Sequence, residues 1–208
     1  MNATFYRGFK EKTFKKWYEE APEGFQYVFK ANRIITHRKY LKNVSESVKR
    51  FCDSVQLVKE KLGLILLQLH PNTSHDLKLL KDALESFENP SNVVVEFRNE
   101  QWFNEETYQL LRETGCIFCN IDSPKFKVYD VATAKKAYFR FHGRKDWYKH
   151  NYSDKELHEI AVTMDNITEN GVSELYAFFN NDVDANAPVN ARRLKEIINK
   201  NSKNITTK

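Results

Sequence analysis

Short apolar runs alternate along the chain with longer stretches in which apolar residues recur every three or four positions. That alternation predicts parallel strands joined by crossover helices. Seven strands are expected, at Ala3 to Arg7, Phe25 to Ala31, Leu64 to Leu69, Val93 to Phe97, Ile117 to Asp122, Ala137 to His142 and Leu175 to Asn180. Between them, Val44, Val48, Phe51, Val55, Val58 and Leu62 line one face of a helix, with Asn43 and Glu46 as its expected cap. Leu77, Leu80, Leu84 and Phe87 repeat the spacing. So do Leu157, Ile160, Ala161 and Met164 behind a capping box at Ser153 to Glu156. Pro188 suits the first turn of a last helix carrying Ala191, Leu194 and Ile198. The crossover from Asp122 to Ala137 lacks a helical period and is expected to be loop.

No repeat, low-complexity segment or Pro/Gly-rich linker interrupts this pattern, so residues 1–208 are expected to form a single domain. Periodicity alone leaves an open doubly wound sheet and a closed barrel as alternatives. The first strand is not followed by a Gly-rich phosphate loop, which removes the usual argument for a nucleotide-binding open sheet.

Successive strand residues point to opposite faces, so parity shows which side chains keep company. Val94, Glu96 and Arg98 oppose Val93, Val95 and Phe97, while Tyr138, Arg140 and His142 oppose Phe139 and Phe141. Gln68 and His70 share a face with Leu64 and Leu66; Lys30 and Asn32 share one with Val28. Asp122 falls with Phe118 and Asn120, and Asn180 with Phe178 and Asp182. In each of these six strands one face is largely apolar and the other turns polar toward the C-terminal end. In a parallel barrel the second face points inward and its C-terminal rim binds ligands. Lys30, Gln68, Glu96, Arg98, Asp122, Arg140, His142 and Asn180 are therefore expected at one mouth.

Lys30, Arg98 and Arg140 are fixed cations there, against the carboxylates of Glu96 and Asp122, and this balance favours an anionic ligand. Glu96 and His142 are the candidates for acid/base chemistry, and His37, which follows a strand, either reaches the same rim or is a solvated loop histidine. No metal is assigned, because neighbouring Arg and Lys oppose a divalent cation; the cofactor is left unknown. Trp102 either lines the rim or packs beneath a loop, and Trp147 and Tyr148 are expected in a packed loop rather than a lid. Cys116 and Cys119 have CxxC spacing, but their odd separation puts the sulfurs on opposite strand faces, so buried thiols are the expectation.

Composition narrows the setting. With 41% hydrophobic and 13% aromatic residues, the chain is globular rather than disordered. Its start has no signal-like apolar run and no segment is apolar enough to span a bilayer, which makes the cytoplasm the expected location without a membrane partner. Three cysteines suit a reducing compartment. The net charge of +5 arises from scattered lysines and reads as a solvated surface, with a nucleic-acid face as the alternative. Residues 199–208 form a polar, lysine-rich tail expected to fray.

Several runs together resemble the YecE-like family, domain of unknown function 72. They are Thr4-Phe5-Tyr6-Arg7, Phe29 to His37, Leu66-Leu67-Gln68-Leu69, Val95-Glu96-Phe97-Arg98 with Trp102, Tyr138 to Gly143, and Phe178 to Asp182. The resemblance implies a closed TIM-type β/α barrel and carries Lys30, His37, Gln68, Glu96, Arg98, Arg140, His142 and Asn180 over as characteristic polar positions. It supplies no reaction. Asn32 and His70 stand where relatives commonly have proline. Relatives also begin with a further strand and helix bearing a Gly-Thr-Ser-Gly-like opening, so the resemblance implies that the first βα unit is missing here. A seven-strand sheet would then leave an open flank, available for self-association. Two functions stay open at this point: an enzyme with hydrolytic acid/base chemistry on an anion, and a non-catalytic binding module, for nucleic acid in the main alternative.

Overall fold

The computed structural model describes the backbone of residues 1–205 and the side chains of residues 1–200. Its backbone forms two compact units, Met1–Phe118 and the residues from Cys119 onward, with the boundary inside a strand. Among the described residues there are six strands rather than seven: β1 Tyr27–Lys30, β2 Leu62–Gln68, β3 Val93–Glu96, β4 Ile117–Asp122, β5 Lys136–Phe141 and β6 Glu174–Phe179. All neighbouring pairs are parallel and follow chain order. The α/β reading holds, with one strand fewer.

The expected first strand is instead a short helix, α1 Ala3–Tyr6. Local bonds replace a ladder there. Phe5 N–H donates to the Asn2 carbonyl at 3.1 Å, and Thr4 Oγ1 donates to the Lys30 carbonyl at 2.8 Å. The Met1 ammonium donates to the Val28 carbonyl, and the Met1 carbonyl accepts from Lys30 N–H at 3.1 Å.

The first unit continues with helices α2 Glu11–Glu20, α3 Ser45–Val55, α4 Leu77–Leu84 and α5 Glu105–Thr114, and with a π-helix at Ile34–Arg38. Strand register sorts its side chains into two layers. Lys30, Leu66, Val94 and Ile117 stand in one row and Gln68 and Glu96 in the next; Phe29 with Ile65 and Val95 with Phe118 occupy the opposite face. On that opposite face Tyr108 of α5 packs edge-on against Phe118 at 5.0 Å, which identifies it as the helix side. The stripe of α3 is buried as spaced, through Val44, Val48, Phe51, Val55 and Val58. Its end differs: Lys59 takes φ +51°, breaking the helical path so that Leu62 opens β2. The expected cap also differs. Val44 occupies the N-cap position without a side-chain bond, and Asn43 sits at φ +50° in the left-handed region that asparagine tolerates.

The second unit holds α6 Asp154–Glu169 and α7 Asn186–Ile205 beside β4, β5 and β6. The Ser153 capping box of α6 is complete, with Glu156 Oε2 accepting from Ser153 N–H at 2.8 Å. Phe139, Phe141, Leu157, Ile160, Met164 and Leu194 form this unit's core, each 2% exposed or less. Burying each contributes about 1.5–3 kcal/mol. No helix or strand lies between Asp122 and Lys136, and the loop is tied by Asn120 Nδ2 donating to the Val131 carbonyl at 2.9 Å. Pro188 falls in the first turn of α7 as expected, but the stripe is rotated: Ala187, Leu194 and Ile197 are buried and Ala191 is exposed. The adjacent pair Ile197 and Ile198 makes the two phases indistinguishable by spacing. Helix α7 reaches Ile205, so of the fraying expected for residues 199–208, the part at 206–208 lies outside the described residues. Among the described residues no helix is long and apolar enough to cross a membrane.

Candidate functional site

In the first unit the polar groups collect at the C-terminal ends of β1, β2 and β3. Lys30 ends β1 and holds its Nζ 4.0 Å from the centre of the Phe5 ring. Gln68 ends β2 in register with Glu96, the last residue of β3. Glu96 is fully buried, and its Oε1 accepts from Arg98 Nε at 2.6 Å and Nη2 at 2.5 Å. A buried carboxylate without such bonds would cost several kcal/mol.

His37 joins this group from the π-helix. Its ring packs edge-on against Phe5 at 4.9 Å and against His70 at 5.0 Å, and its Nδ1 meets Thr36 Oγ1 at 2.8 Å. Burial, then the charges of His70, Lys30 and Arg98, lower its pKa from 6.5 to about 4. The imidazole is therefore neutral at pH 7. The two fixed cations among these neighbours, Lys30 and Arg98, define a positive local potential. His70, on the same β2 face as Gln68, accepts the Asn72 N–H on Nδ1 at 3.0 Å and meets the Tyr40 ring at 5.1 Å. Tyr40 and Leu41 both take positive φ, at 48° and 68°, immediately after the π-helix. Backbone of this kind costs about 1–3 kcal/mol per residue and concentrates at functional positions.

The second unit has its own polar set. Arg140, 4% exposed, and His142, 1% exposed, belong to the C-terminal end of β5. His142 packs against Trp147 at 5.6 Å and Tyr148 at 5.9 Å, and while Trp147 is partly buried, Tyr148 is exposed. Asn180 follows β6 and donates its N–H to the Phe141 carbonyl at 2.8 Å.

Asp122 is a correction to the expected placement. It stands in register with Phe141, whereas Arg140 is in register with Ile121, so Asp122 lies on the helix side of the sheet. There it accepts from Arg144 Nε at 2.9 Å, and Arg144 Nη1 also donates to Glu159 of α6 at 2.7 Å. Burial raises the Asp122 pKa against the opposing pull of Arg144. The parity of β4 was legible; which parity faces the helices was not, because both faces of that strand are buried.

Trp102 is 1% exposed, stacked on Phe97 at 5.0 Å, with Nε1 donating to the Thr73 carbonyl at 3.2 Å; it packs beneath a loop. Cys116 and Cys119 are buried, and burial pushes the Cys116 thiol up to about 11. Sequence reasoning left His70 out of the site, although its parity with Gln68 was the available signal. Tyr40 and the network of Arg144, His150 and Glu156 had no such signal, since they lie in loops and on a helix.

A family model described as protein of unknown function DUF72 matches residues 1–208. The UPF0759 protein YunF of Bacillus subtilis is 24% identical over 95% of this chain and 82% of its own length. The crystal structure of a DUF72 family protein from Thermotoga maritima superposes with a TM-score of 0.85 at 28% identity, covering 95% of this chain and 83% of that one. A DUF72 family protein from Enterococcus faecalis shares the fold at a TM-score of 0.82 and 21% identity, covering 96% and 88%.

Proposed function

We propose a ligand for a protein whose family name states none: the chain belongs to the DUF72 family, and the C-terminal ends of β1, β2 and β3 bind a small phosphate- or carboxylate-bearing anion. The observation that carries this reading is the convergence of Lys30, Arg98 and His70 on a half-buried, neutral His37. An anion entering beside them offsets the positive charge of Lys30 and Arg98. Parallel α/β sheets place their ligands at these strand ends, where backbone carries the chain into variable loops.

Each group has a distinct role in the proposal. Lys30 and Arg98 hold the anion, Gln68 donates an amide hydrogen bond, and His37, already deprotonated at pH 7, accepts a proton. Glu96 fixes the Arg98 fork and is the second proton-transfer candidate. In the second unit Arg140 and Asn180 are assigned to ligand binding and His142 to proton transfer, on the strand-end rule. Acid/base hydrolysis is the reaction class that these groups support.

Mass spectrometry of small molecules released from the purified protein tests the reading, together with calorimetric titration of inorganic phosphate and acetate. A co-purifying anion, or saturable binding that Lys30→Met weakens about tenfold, is the expected result. Absence of saturable binding for both anions and of any co-purifying one overturns it. Nucleic-acid binding that falls steeply with salt, without a small-anion response, would favour the binding-module alternative.

A further inference from the structure

A cavity in the first unit, of about 290 Å³, is lined by none of Lys30, His37, Gln68, His70, Glu96 or Arg98. Its apolar wall includes Phe9, Phe14 and Phe51, contributed by the segment before α2, by α2 and by α3. Phe14 and Phe51 are buried, at 2% and 9% exposure. The polar lining is basic. Arg7 makes no ion pair among the described residues and lies over the Phe9 ring at 4.7 Å; Arg50 has a long contact of 3.7 Å with Glu46. Ser47, nine-tenths buried on α3, also lines the cavity, and its Oγ has no hydrogen-bond partner. A buried hydroxyl in that state costs about 1–3 kcal/mol, which a ligand acceptor or a water would offset.

We infer that this cavity is a binding site for a small organic carboxylate with an apolar body. The volume has room for roughly ten water-sized groups, which suits an anion of about a dozen non-hydrogen atoms. The aromatic wall takes the hydrocarbon part, and the two guanidinium groups take the carboxylate. A neutral ligand would leave both guanidinium groups unused, and an inorganic anion would leave the wall bare. Other polar liners are already engaged: Asn32 Nδ2 donates to the Thr4 carbonyl at 3.0 Å and Ser54 Oγ to the Arg50 carbonyl at 2.9 Å.

The test uses the full chain with decanoate, 3-phenylpropanoate and decan-1-ol as probes, each below its aggregation concentration. Calorimetry gives the affinity, and amide chemical shifts locate the site. At least one of the two carboxylates is expected to bind saturably, shifting Phe9, Ser47 and Phe51. Decan-1-ol should bind about tenfold more weakly than decanoate or not at all. Replacing both surface arginines, Arg7→Met with Arg50→Met, should abolish the preference for carboxylate while thermal unfolding stays unchanged. The inference fails if neither carboxylate saturates, if the alcohol matches decanoate, or if the preference survives the double substitution. It also fails if the shifts centre on Lys30 and His37, which would move the carboxylate to the strand-end site.

Discussion

His37 offers the sharpest test, because its environment predicts a titration far from the ordinary one. The gap between 6.5 and about 4 amounts to about 3 kcal/mol at about 1.36 kcal/mol per pH unit. His37 is only half-buried, and screening reduces that to roughly 2 kcal/mol. The sign follows from proton uptake. Between pH 6.5 and 4 the unfolded chain protonates at this residue while the folded chain does not, so stability falls as pH drops through that window, and the full cost from this residue is reached below about 4. The assay is the ring Cε1–H shift of His37 against pH, assigned by comparison with His37→Gln. A midpoint near 4 is expected. Lys30→Met should raise it by about half a pH unit, since burial is the larger cause and remains in place. Saturating phosphate should raise it by about one unit or more, because an adjacent anion favours the imidazolium. A midpoint near 6.5 in the unmodified protein would refute the positive, partly desolvated setting. A midpoint indifferent to phosphate would remove the anion from this site.

Asp122→Asn should leave anion affinity unchanged and lower stability by about 1–3 kcal/mol in urea unfolding, since it loosens the Arg144 bond on the helix side; altered affinity would return Asp122 to the ligand set. Trp102→Ala should cost about 3–5 kcal/mol by the same assay, from loss of the Phe97 stack and the Thr73 bond. Ser153→Ala removes the α6 capping box and should cost about 1 kcal/mol. Gly143→Ala should be severe, lowering the unfolding temperature or the yield of folded protein, because φ is +104° and a Cβ would lie 2.4 Å from the Asp146 carbonyl oxygen.

The sequence by itself determined the α/β class, the positions of six strands, the buried stripes of α3 and α6, and which residues of each strand share a face. Those features are local: they follow from periods of 2 and 3.6 and from caps within one turn. Tertiary structure decided the rest. The short run Ala3 to Arg7 reads as a strand, yet the Phe5 N–H bond to the Asn2 carbonyl and the Thr4 hydroxyl bond to the Lys30 carbonyl hold Ala3–Tyr6 as a helix. Ile121 and Asp122 are equally buried, and only register against Arg140 and Phe141 shows which of them faces the helices. The neutral His37 likewise depends on burial and on two residues distant in sequence, His70 and Arg98, together with the nearer Lys30. Pairing between strands is set by long-range packing and hydrogen-bond register, and neither leaves a period in the chain.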